Sequence, residues 1–571
     1  MTPNSWLSVN RSLCAKIISE LHYEELLEPT RQDKGWFLET RNDKWYFAAN
    51  ITIWGMLEIT QDSIECKSGK APLASQLLID LKEYLMISDI NLANLLEEVQ
   101  QTLYSDMVRV KKLEGMTAYD LTSMSEIDRQ QYIDAHPKAI ANKGRLGWGA
   151  DNLEQYSPES GNQFQLRWLA IRKSQCEAGI AQSTRYDSIL KNVLGETEFD
   201  QLNVKLGAQY KDFWLIAVHP WQFQRFLTSQ YACLFMNGDI IDLGLAGADW
   251  KAQQSIRTLS SPSKHIAYDA KTALSILNTS CYRGIPGKFI VQGPELSSWL
   301  DKLTKTDETL KAAGLHVQQE IAGFYATHPF QSQLDQGPYR YQEMLGCIWR
   351  ERAEHIITEH KKPITMAALM QEDLNEKPLI GSLIDASGIT IEQWLEKLFN
   401  HVVAPLYHLM CKYGVGLVAH GQNITLVLED NIPCGCIIKD FHGDLRIVNQ
   451  EFPELNSLDE SIKETLTRLP PHYLIHDLLT GHFVTVLRFI SPKVSALGFE
   501  EIDFYRLLRR VIQAYKEQHS HLEERFNQFD LMTPKIDKIC INRVRFKIGY
   551  GDTNERPLPD IGKPINNPLM L

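Results

Sequence analysis

The chain has 571 residues, of which 44% are hydrophobic and 23% charged, and its formal net charge is −12. This length exceeds what one hydrophobic core supports, so we expect two to four domains of ordinary globular composition. The acidic balance argues against a general nucleic-acid binder, because phosphate neutralisation needs a basic surface, but it is compatible with a local basic pocket for a nucleotide.

The N-terminal 27 residues have the pattern of an amphipathic helix and lack the basic and apolar regions of a signal peptide. No apolar run approaches the roughly 18–20 residues that span a bilayer. The ten cysteines are scattered, only Cys434 and Cys436 lie close together, and no paired C-x-x-C zinc pattern occurs. We therefore expect a cytoplasmic protein with reduced thiols and with neither a membrane segment nor a nucleic-acid partner.

Taken in chain order, residues 1–135 predict helices interrupted by a small antiparallel sheet at 36–59, where apolar and polar residues alternate. A middle block at about 195–355 interleaves strand-like and helical stretches. Residues 391–416 have the pattern of a long amphipathic helix. Helices then dominate until ICINRVRF, at 539–546, alternates as a strand. The prediction is an α+β protein with mixed or antiparallel sheets.

The most informative segment is 420–446, whose runs ITLVL and CIIK flank the turn DNIPCG and predict a β-hairpin. Antiparallel strands return the chain to its start, so Asn423 at one end should lie near Asp440 at the other. An amide oxygen and a carboxylate that converge suit Mg²⁺, and protein kinases use a similar layout. The alternative is an ordinary hairpin with solvated polar ends.

Two clusters with histidine precede the hairpin. The first joins His136 with Lys143 and Arg145 in a glycine-containing loop, where the cations could receive a carboxylate or a phosphate. An exposed basic loop would have the same sequence. The second is the H-P-W-Q run at 219–222, directly after an apolar strand. A loop at a strand end often carries function, but a single histidine there is more often structural.

A third cluster alternates hydroxyl groups with arginine and continues over two apparent strands. Ser255 and Arg257 share one face of the first strand. The chain has neither a G-x-x-x-x-G-K-[ST] loop nor a G-x-G-x-x-G loop, so a nucleotide would be held by side chains. The groups that suit a triphosphate are Ser255, Arg257, Thr258, Lys271, Thr279, Ser280 and Arg283. Solvated strand faces are the alternative.

A fourth cluster lies near the C terminus. The run N-R-V-R at 542–545 is followed by G-Y-G-D at 549–552 and E-R-P at 555–557. Arginines two positions apart on a strand could face a substrate carboxylate. Taken alone, these residues favour a structural salt bridge over a substrate site.

In this order the motifs resemble those of the IucA/IucC-like siderophore synthetases, which work independently of non-ribosomal peptide synthetases. The resemblance covers nearly the whole chain. Six motifs carry it: H-P with K-x-R-x-G at 136–147, H-P-W-Q at 219–222, S-x-R-T at 255–258, K with T-S-x-x-R at 271–283, A-H-G-Q-N at 419–423 and K-D-F-H-G at 439–443. Val418 departs from relatives that carry Glu at this position. The motifs and the C-terminal ending look most like the hydroxamate branch, which includes the alcaligin, putrebactin and desferrioxamine synthetases.

The resemblance implies a multi-domain cupped-hand architecture of thumb, fingers and palm, which we assign to 1–190, 191–375 and 376–571. It implies ATP and Mg²⁺ as cofactors, small-molecule carboxylate and amine or hydroxamate substrates, and a homodimer. The implied reaction is ligation, in which a succinyl-hydroxamate or citrate-derived carboxylate is adenylated and then condensed with an amine, releasing AMP and pyrophosphate. A kinase-like phosphotransferase and a non-catalytic binding protein are the alternatives.

Carried onto this chain, the site residues of the family form overlapping groups. The catalytic group is Arg283, Lys271 and His420, of which His420 would contact the acyl group or help to accept a proton from the amine. The ATP-binding group is Ser255, Arg257, Thr258, Lys271, Arg283, Gln422 and Asp440. The substrate-binding group is His136, Lys143, Arg145, His420, Arg446 and Arg543. The Mg²⁺ ligands are Asn423 and Asp440, and Val418 leaves the metal more dependent on them.

Overall fold

The computed structural model mixes helices with mainly antiparallel sheets, which confirms the α+β prediction. It describes residues 2–33, 35–279, 281–441, 443–550, 552 and 559–571. In these ranges no helix has both the length and the apolar character needed to cross a membrane. All ten cysteines are free thiols.

Two long helices and a small sheet build the N-terminal part. The side chain of Thr2 caps helix Pro3–Tyr23, and that of Ser88 caps helix Asp89–Leu113. Both helices bury apolar faces in a core shared with the sheet. The strands are Thr30–Gln32, Gly35–Glu39, Lys44–Phe47 and Glu65–Cys66, with Ala49–Ile51 and Leu57–Ile59 paired beside them. The antiparallel sheet predicted at 36–59 is confirmed.

An eight-stranded antiparallel sheet occupies the middle of the chain. In its core, Trp349 packs against both Trp168 and Trp250. In spatial order the strands are Glu177–Ile180, Glu320–Tyr325, Gly346–Glu351, Tyr268–Thr272, Thr258–Ser260, Ile240–Ala252, Phe164–Arg172 and Phe213–Val218. Residues before and after position 190 therefore share one sheet and one core, so the domain boundary that we assigned there falls inside a structural unit.

The assigned boundary at residues 375 and 376 is crossed in the same way. A four-stranded sheet contains, in spatial order, Leu315–Val317, Ile432–Ile438, Ile424–Glu429 and Lys361–Thr365. A three-stranded sheet beside it is formed by Val415–Leu417, Leu445–Val448 and Thr467–Leu469. Strand pairing between distant segments decides which residues share a unit, and local composition does not reveal that pairing.

The predicted hairpin is present, with a tighter turn than expected. Strand Ile424–Glu429 pairs with strand Ile432–Ile438, and only Asp430 and Asn431 connect them, at φ values of 51° and 63°. Two left-handed residues make the type of turn that best matches the twist of a hairpin. The rest of the run DNIPCG, which we expected to be turn, belongs to the second strand.

The long helix predicted at 391–416 is observed at Ile391–Tyr413. A capping box of Thr390 and Gln393 begins it, and Gly414, at a left-handed φ of 63°, ends it. This helix delivers the chain to the hairpin. In the described ranges, the other α-helices of eight or more residues are Tyr186–Leu194, Glu196–Leu206, Gly293–Thr306, Leu379–Ser387, Arg488–Ser495, Glu501–Gln518 and Ile541–Ile548.

The strand predicted at 539–546 is wrong for most of its length. Strand Lys535–Cys540 pairs with Asp560–Asn566, and residues Ile541–Ile548 are helical. The helix begins at a cap from a distant residue, because the Glu24 carboxylate accepts hydrogen bonds from the backbone N–H groups of Ile541, Asn542 and Arg543. The first N–H groups of a helix lack internal partners, and a carboxylate is favourable beside them. This tertiary contact overrides the local alternation.

A buried ion pair ties the first helix to the C-terminal helices. Nη2 of Arg488 donates to both carboxylate oxygens of Glu20, at 2.8 and 3.0 Å, and both side chains are buried. Removal of one partner leaves an uncompensated buried charge, which costs about 3–5 kcal/mol.

We expect Arg488→Met to lower the free energy of unfolding by an amount in this range in urea titrations. Arg506→Met, at an exposed pair with Asp503, should leave it nearly unchanged, and equal effects would contradict the assignment.

Candidate active site

The predicted phosphate-binding strands and the predicted metal hairpin meet at one salt bridge. Lys271, on strand Tyr268–Thr272, places its Nζ 2.5 Å from Oδ1 of Asp440, at the end of the hairpin. The two residues are 169 positions apart in the chain. Burial alone would raise the pKa of Asp440, but Lys271 and Arg350 hold that pKa well below its usual range. Asp440 is therefore ionised, and we call the region around it the junction.

Arg350 is a junction residue that the sequence reasoning missed. It lies on strand Gly346–Glu351, opposite Asp269 in the register, and is 1% exposed. Its Nη1 lies 3.0 Å from Oδ1 of Asp440, and its Nη2 lies 3.8 Å from Oδ2 of Asp269. The sequence offers only a weak signal for Arg350: it is one arginine at the end of an apolar run, and a second arginine follows at 352. Only the sheet register shows which of the two reaches Asp440.

The two arginines of the third cluster lie close together beside the junction. Burial, followed by the adjacent Arg283, lowers the pKa of Arg257. Nη1 of Arg257 donates to the carbonyl of Gly284, and Nη2 of Arg283 donates to Oγ1 of Thr279. Both hydrogen-bond acceptors are neutral, while the carboxylates of Glu343 and Asp440 oppose the lowering of the pKa of Arg257. Such a pair of arginines is suited to an anion with several oxygens.

The hydroxyl groups of this cluster shape the loop. Oγ of Ser255 accepts a hydrogen bond from the backbone N–H of Thr258 at 3.2 Å, and Thr258 is buried at the start of its strand. Ile256, between them, has a left-handed φ of 60°, as do Thr279 at 49° and Asp440 at 63°. Such a conformation in a residue other than glycine costs of order 1–3 kcal/mol and occurs preferentially at functional sites. All three strained residues lie at or beside predicted ligands.

The A-H-G-Q-N loop determines which nitrogen of His420 carries the proton. Nδ1 of His420 accepts a hydrogen bond from the backbone N–H of Gln422 at 3.2 Å, and burial lowers the pKa of the ring. A neutral imidazole that accepts at Nδ1 is protonated at Nε2. His420 therefore offers a donor at Nε2 and has no lone pair there to take a proton. This geometry does not support the expected role of His420 in accepting a proton. The other predicted role, contact with the acyl group, is compatible with a donor at Nε2.

The oxygen atoms predicted to bind Mg²⁺ fit that ion. Nδ2 of Asn423 donates to the carbonyl of Val418 at 3.0 Å and to Oδ2 of Asp444 at 3.1 Å, so Oδ1 is the amide atom left for a ligand. Across the described ranges, no hydrogen bond reaches Oδ2 of Asp440. Mg²⁺ commonly takes one or two protein oxygens and completes its shell with phosphate and water. Asp444, which holds the amide, is a further residue that we did not predict.

His136 lies beside the junction. It is half-buried, and burial, followed by the nearby His420, lowers its pKa to about 3. Arg283 is among the cations that contribute to this shift. Nδ1 of His136 accepts from the backbone N–H of Lys138 at 3.2 Å, so its proton also lies on Nε2. The structure thus brings together His136, His420 and Arg283, which come from three separate motifs.

Lys143 and Arg145 follow His136 in the same loop. Their charges are neutralised by carboxylates of the protein. Both side chains are almost fully buried. Lys143 forms ion pairs with Asp106 and Asp134, and Arg145 donates to both oxygens of Glu159, at 2.7 and 2.9 Å. Buried charges with such partners have little freedom to turn to a ligand. The contacts give these two residues a supporting position, in place of the predicted direct contact with substrate.

Arg446 and Arg543 also have carboxylate or carbonyl partners. Nη1 of Arg446 lies 2.5 Å from Oδ1 of Asp477. Burial outweighs this contact and raises the pKa of Asp477 to about 7. Arg543 donates to the carbonyl of Glu24 and lies 3.6 Å from Glu25. Because this segment is helical, the strand geometry expected for the fourth cluster does not occur.

The H-P-W-Q run is structural. His219 caps a short helix through Nδ1, its ring packs against Tyr156 and Phe164, and burial lowers its pKa to about 3. The side chain of Gln222 binds Ser275 and a backbone carbonyl.

Parts of the predicted motifs lie outside the described residues. They are Ser280, His442, Gly551 and the E-R-P run at 555–557.

Comparison with known proteins agrees with the geometry. A model of the IucA / IucC family matches residues 125–371, and a model described as ferric iron reductase FhuF-like transporter matches residues 392–553. Aerobactin synthase of Escherichia coli is 41% identical over 100% of this chain and 99% of its own length. The solved aerobactin synthetase IucC from a hypervirulent pathotype of Klebsiella pneumoniae is 38% identical, with a TM-score of 0.90 over 100% of this chain and 99% of its own.

These matches define a siderophore synthetase, a ligase that forms amide bonds. The chain belongs to the IucA/IucC family, which confirms the resemblance drawn from the motifs. The ATP-bound aerobactin synthetase IucA from the same pathotype shares the fold, with a TM-score of 0.78 and 17% identity over 98% of this chain and 99% of its own. The family match disfavours the kinase-like alternative.

The Arg145–Glu159 pair predicts part of the acid sensitivity of the fold. Burial alone would raise the pKa of Glu159, but Arg145 lowers it to about 2. A carboxyl group whose pKa is depressed by folding stabilises the protein above its unfolded pKa of about 4.3, and that contribution is lost as pH falls towards 2. We expect Glu159→Gln to be less stable at pH 7 and to lose less stability than wild type between pH 4.3 and 2, as measured by thermal unfolding.

The control for this prediction is Glu154→Gln, an exposed position in the same segment. It should follow the wild-type pH profile. If Glu159→Gln loses as much stability as wild type over the same interval, the pair does not contribute as described.

Proposed function

We propose that this protein uses ATP to adenylate a carboxylate and then joins the acyl group to an amine, releasing AMP and pyrophosphate. One observation carries the proposal. A cluster of cations, two of them on the eight-stranded sheet and two on segments beside it, surrounds an ionised carboxylate at the end of the hairpin, at the Lys271–Asp440 pair. The cations are Arg257, Lys271, Arg283 and Arg350.

The charges at the junction support binding of a triphosphate. Arg257 and Arg283 donate hydrogen bonds to neutral acceptors, and Lys271 has one carboxylate partner in Asp440. Arginine forks bind two phosphate oxygens at once, and lysine supplies a point charge. Preorganised cations at the α-phosphorus would stabilise the charge that develops there during adenylation. With Mg²⁺ held by Asn423 and Asp440, further positive charge would be supplied to the phosphate oxygens.

Adenylation makes the carboxylate reactive. A free carboxylate is a poor electrophile because oxide is a poor leaving group. In the adenylate, AMP is the leaving group, so the amine needs only to be positioned and deprotonated. Attack by the amine nitrogen forms the C–N bond as the bond from the acyl carbon to the AMP oxygen breaks.

The two histidines at the junction are placed to bind the acyl donor. His136 and His420 each accept a backbone hydrogen bond at Nδ1, so both offer N–H at Nε2. Two neutral donors beside Arg283 suit a carboxylate oxygen. We propose a succinyl-hydroxamate or a citrate-derived carboxylate as the donor and a hydroxylated diamine or another amine as the acceptor. A homodimeric state and a cytoplasmic location remain predictions.

Substitutions at the junction test the proposal directly. Arg283→Ala and Asp440→Asn should each lower pyrophosphate release by about 10²–10³-fold, because the first removes a cation that acts on the phosphates and the second removes the charge of a proposed Mg²⁺ ligand. Release would be measured with citrate, succinate and N-hydroxy-N-succinyl-cadaverine or -putrescine as carboxylates, and mass spectrometry would identify the amide products. Asp430→Asn, at the other end of the same hairpin, is the matched control and should retain activity. Full activity in both junction variants would refute the site assignment.

The role of His420 as a donor makes a separate prediction. His420→Gln keeps an N–H near the Nε2 position and should retain more amide formation than His420→Leu. Because burial lowers the pKa of His420 below its ordinary value of 6.5, the wild-type rate should show no ionisation of this ring between pH 7 and 9. If the pH–rate profile of the wild type shows an ionisation in that range, and the ionisation is absent in His420→Gln, His420 acts instead as a general base.

A further inference from the structure

Asp440 is held by two cations that differ in how firmly they are anchored. Lys271 and Arg350 both approach Oδ1 of Asp440, at 2.5 and 3.0 Å. In the part of the chain that the structure describes, Lys271 has Asp440 as its sole ion-pair partner. Arg350 also has Asp269, which lies opposite it on the neighbouring strand. Arg350 is therefore anchored on both sides, and Lys271 on one.

Asp269 is itself held in place from three directions. Oγ of Ser260 donates to its Oδ1 at 2.6 Å, and Nε2 atoms of Gln253 and Gln318 donate to its Oδ2 at 3.3 and 3.2 Å. Asp269 is 3% exposed. Alternating charges thus follow one another in the order Asp269, Arg350, Asp440 and Lys271, and Asp440 alone among them comes from the end of the hairpin.

A bound nucleotide would act unequally on the two cations. A triphosphate carries more negative charge than one carboxylate, so the flexible ammonium of Lys271 can exchange Asp440 for phosphate. If Lys271 were the sole ion-pair partner, this exchange would leave the buried carboxylate without such a partner, which is strongly unfavourable. Arg350 removes this obstacle because its second anchor keeps it beside Asp440.

We propose that Arg350 is a positioning residue, which holds Asp440 in place while Lys271 turns to the nucleotide and so leaves the second oxygen of Asp440 for the metal. Arg350 acts through Asp440 and touches neither substrate. The inference rests on the proposed function, because it assumes that the junction binds Mg·ATP.

The test is nucleotide binding by Arg350→Gln, measured by titration calorimetry with ATP in EDTA and at increasing Mg²⁺. We expect ATP to bind more weakly in EDTA and the Mg²⁺ concentration for half-maximal binding to rise about 10-fold or more, as for other residues that orient a metal ligand. Arg350→Lys restores the charge without the two-pronged geometry and should recover part of both losses. Thermal unfolding would show whether each variant is folded.

Arg352→Gln is the matched control. Arg352 is also buried, on the adjoining segment, but its Nη1 donates to the carbonyls of Ser261, Ser263 and Ile266, away from Asp440. Its nucleotide and Mg²⁺ affinities should equal those of wild type. If it loses affinity as Arg350→Gln does, the effect is general destabilisation and the inference fails.

A double substitution separates positioning of Asp440 from other roles of Arg350. In an Asp440→Asn background, Arg350→Gln should add little, because the arginine no longer has a carboxylate to hold. Full additivity would overturn the inference. ATP and Mg²⁺ affinities equal to those of wild type in Arg350→Gln would also overturn it. If Arg350→Gln is unfolded, the same result in a folded Arg350→Lys would do so. If wild type binds Mg·ATP but releases no pyrophosphate with any carboxylate, the proposed function fails and the role of Arg350 stands.

Discussion

The carboxylate of Asp440 is the point on which the two halves of the site depend. It ends a hairpin that belongs to a four-stranded sheet, whereas Lys271 and Arg350 project from an eight-stranded sheet. Inside a protein the dielectric constant is low, so these contacts are stronger than in water, and an unmatched partner would be costly. The pairing therefore sets the relative position of the phosphate-binding strands and the metal-binding oxygens.

How much of this could be read from the sequence depends on the distance between partners. The hairpin, the long helix before it and the order of the motifs follow from local patterns, and the structure contains them. Arg350 does not follow, because its importance comes from its register against Asp269 and its contact with Asp440. The same limit applies to Arg145, where the motif predicted a cation that binds substrate and the fold supplies Glu159 as a buried partner.

One local structure recurs in histidines with different surroundings. In each case a histidine followed by proline or glycine accepts, at Nδ1, the backbone N–H two residues later, and so is protonated at Nε2 when neutral. His219 is enclosed by aromatic rings, while His136 and His420 adjoin the cations of the junction. The four histidines are His136, His219, His328 and His420. A motif can thus fix the tautomer, and the environment decides the function.

The cap that Glu24 places on helix Ile541–Ile548 has a consequence for the order of folding. An isolated helix of eight residues is unstable in water, so this one depends on a carboxylate about 518 positions earlier in the chain. Contacts between such distant segments form late, because the entropy of closing a long loop opposes them until the intervening structure is in place. This helix therefore acquires its conformation from a residue that was synthesised 518 positions before it.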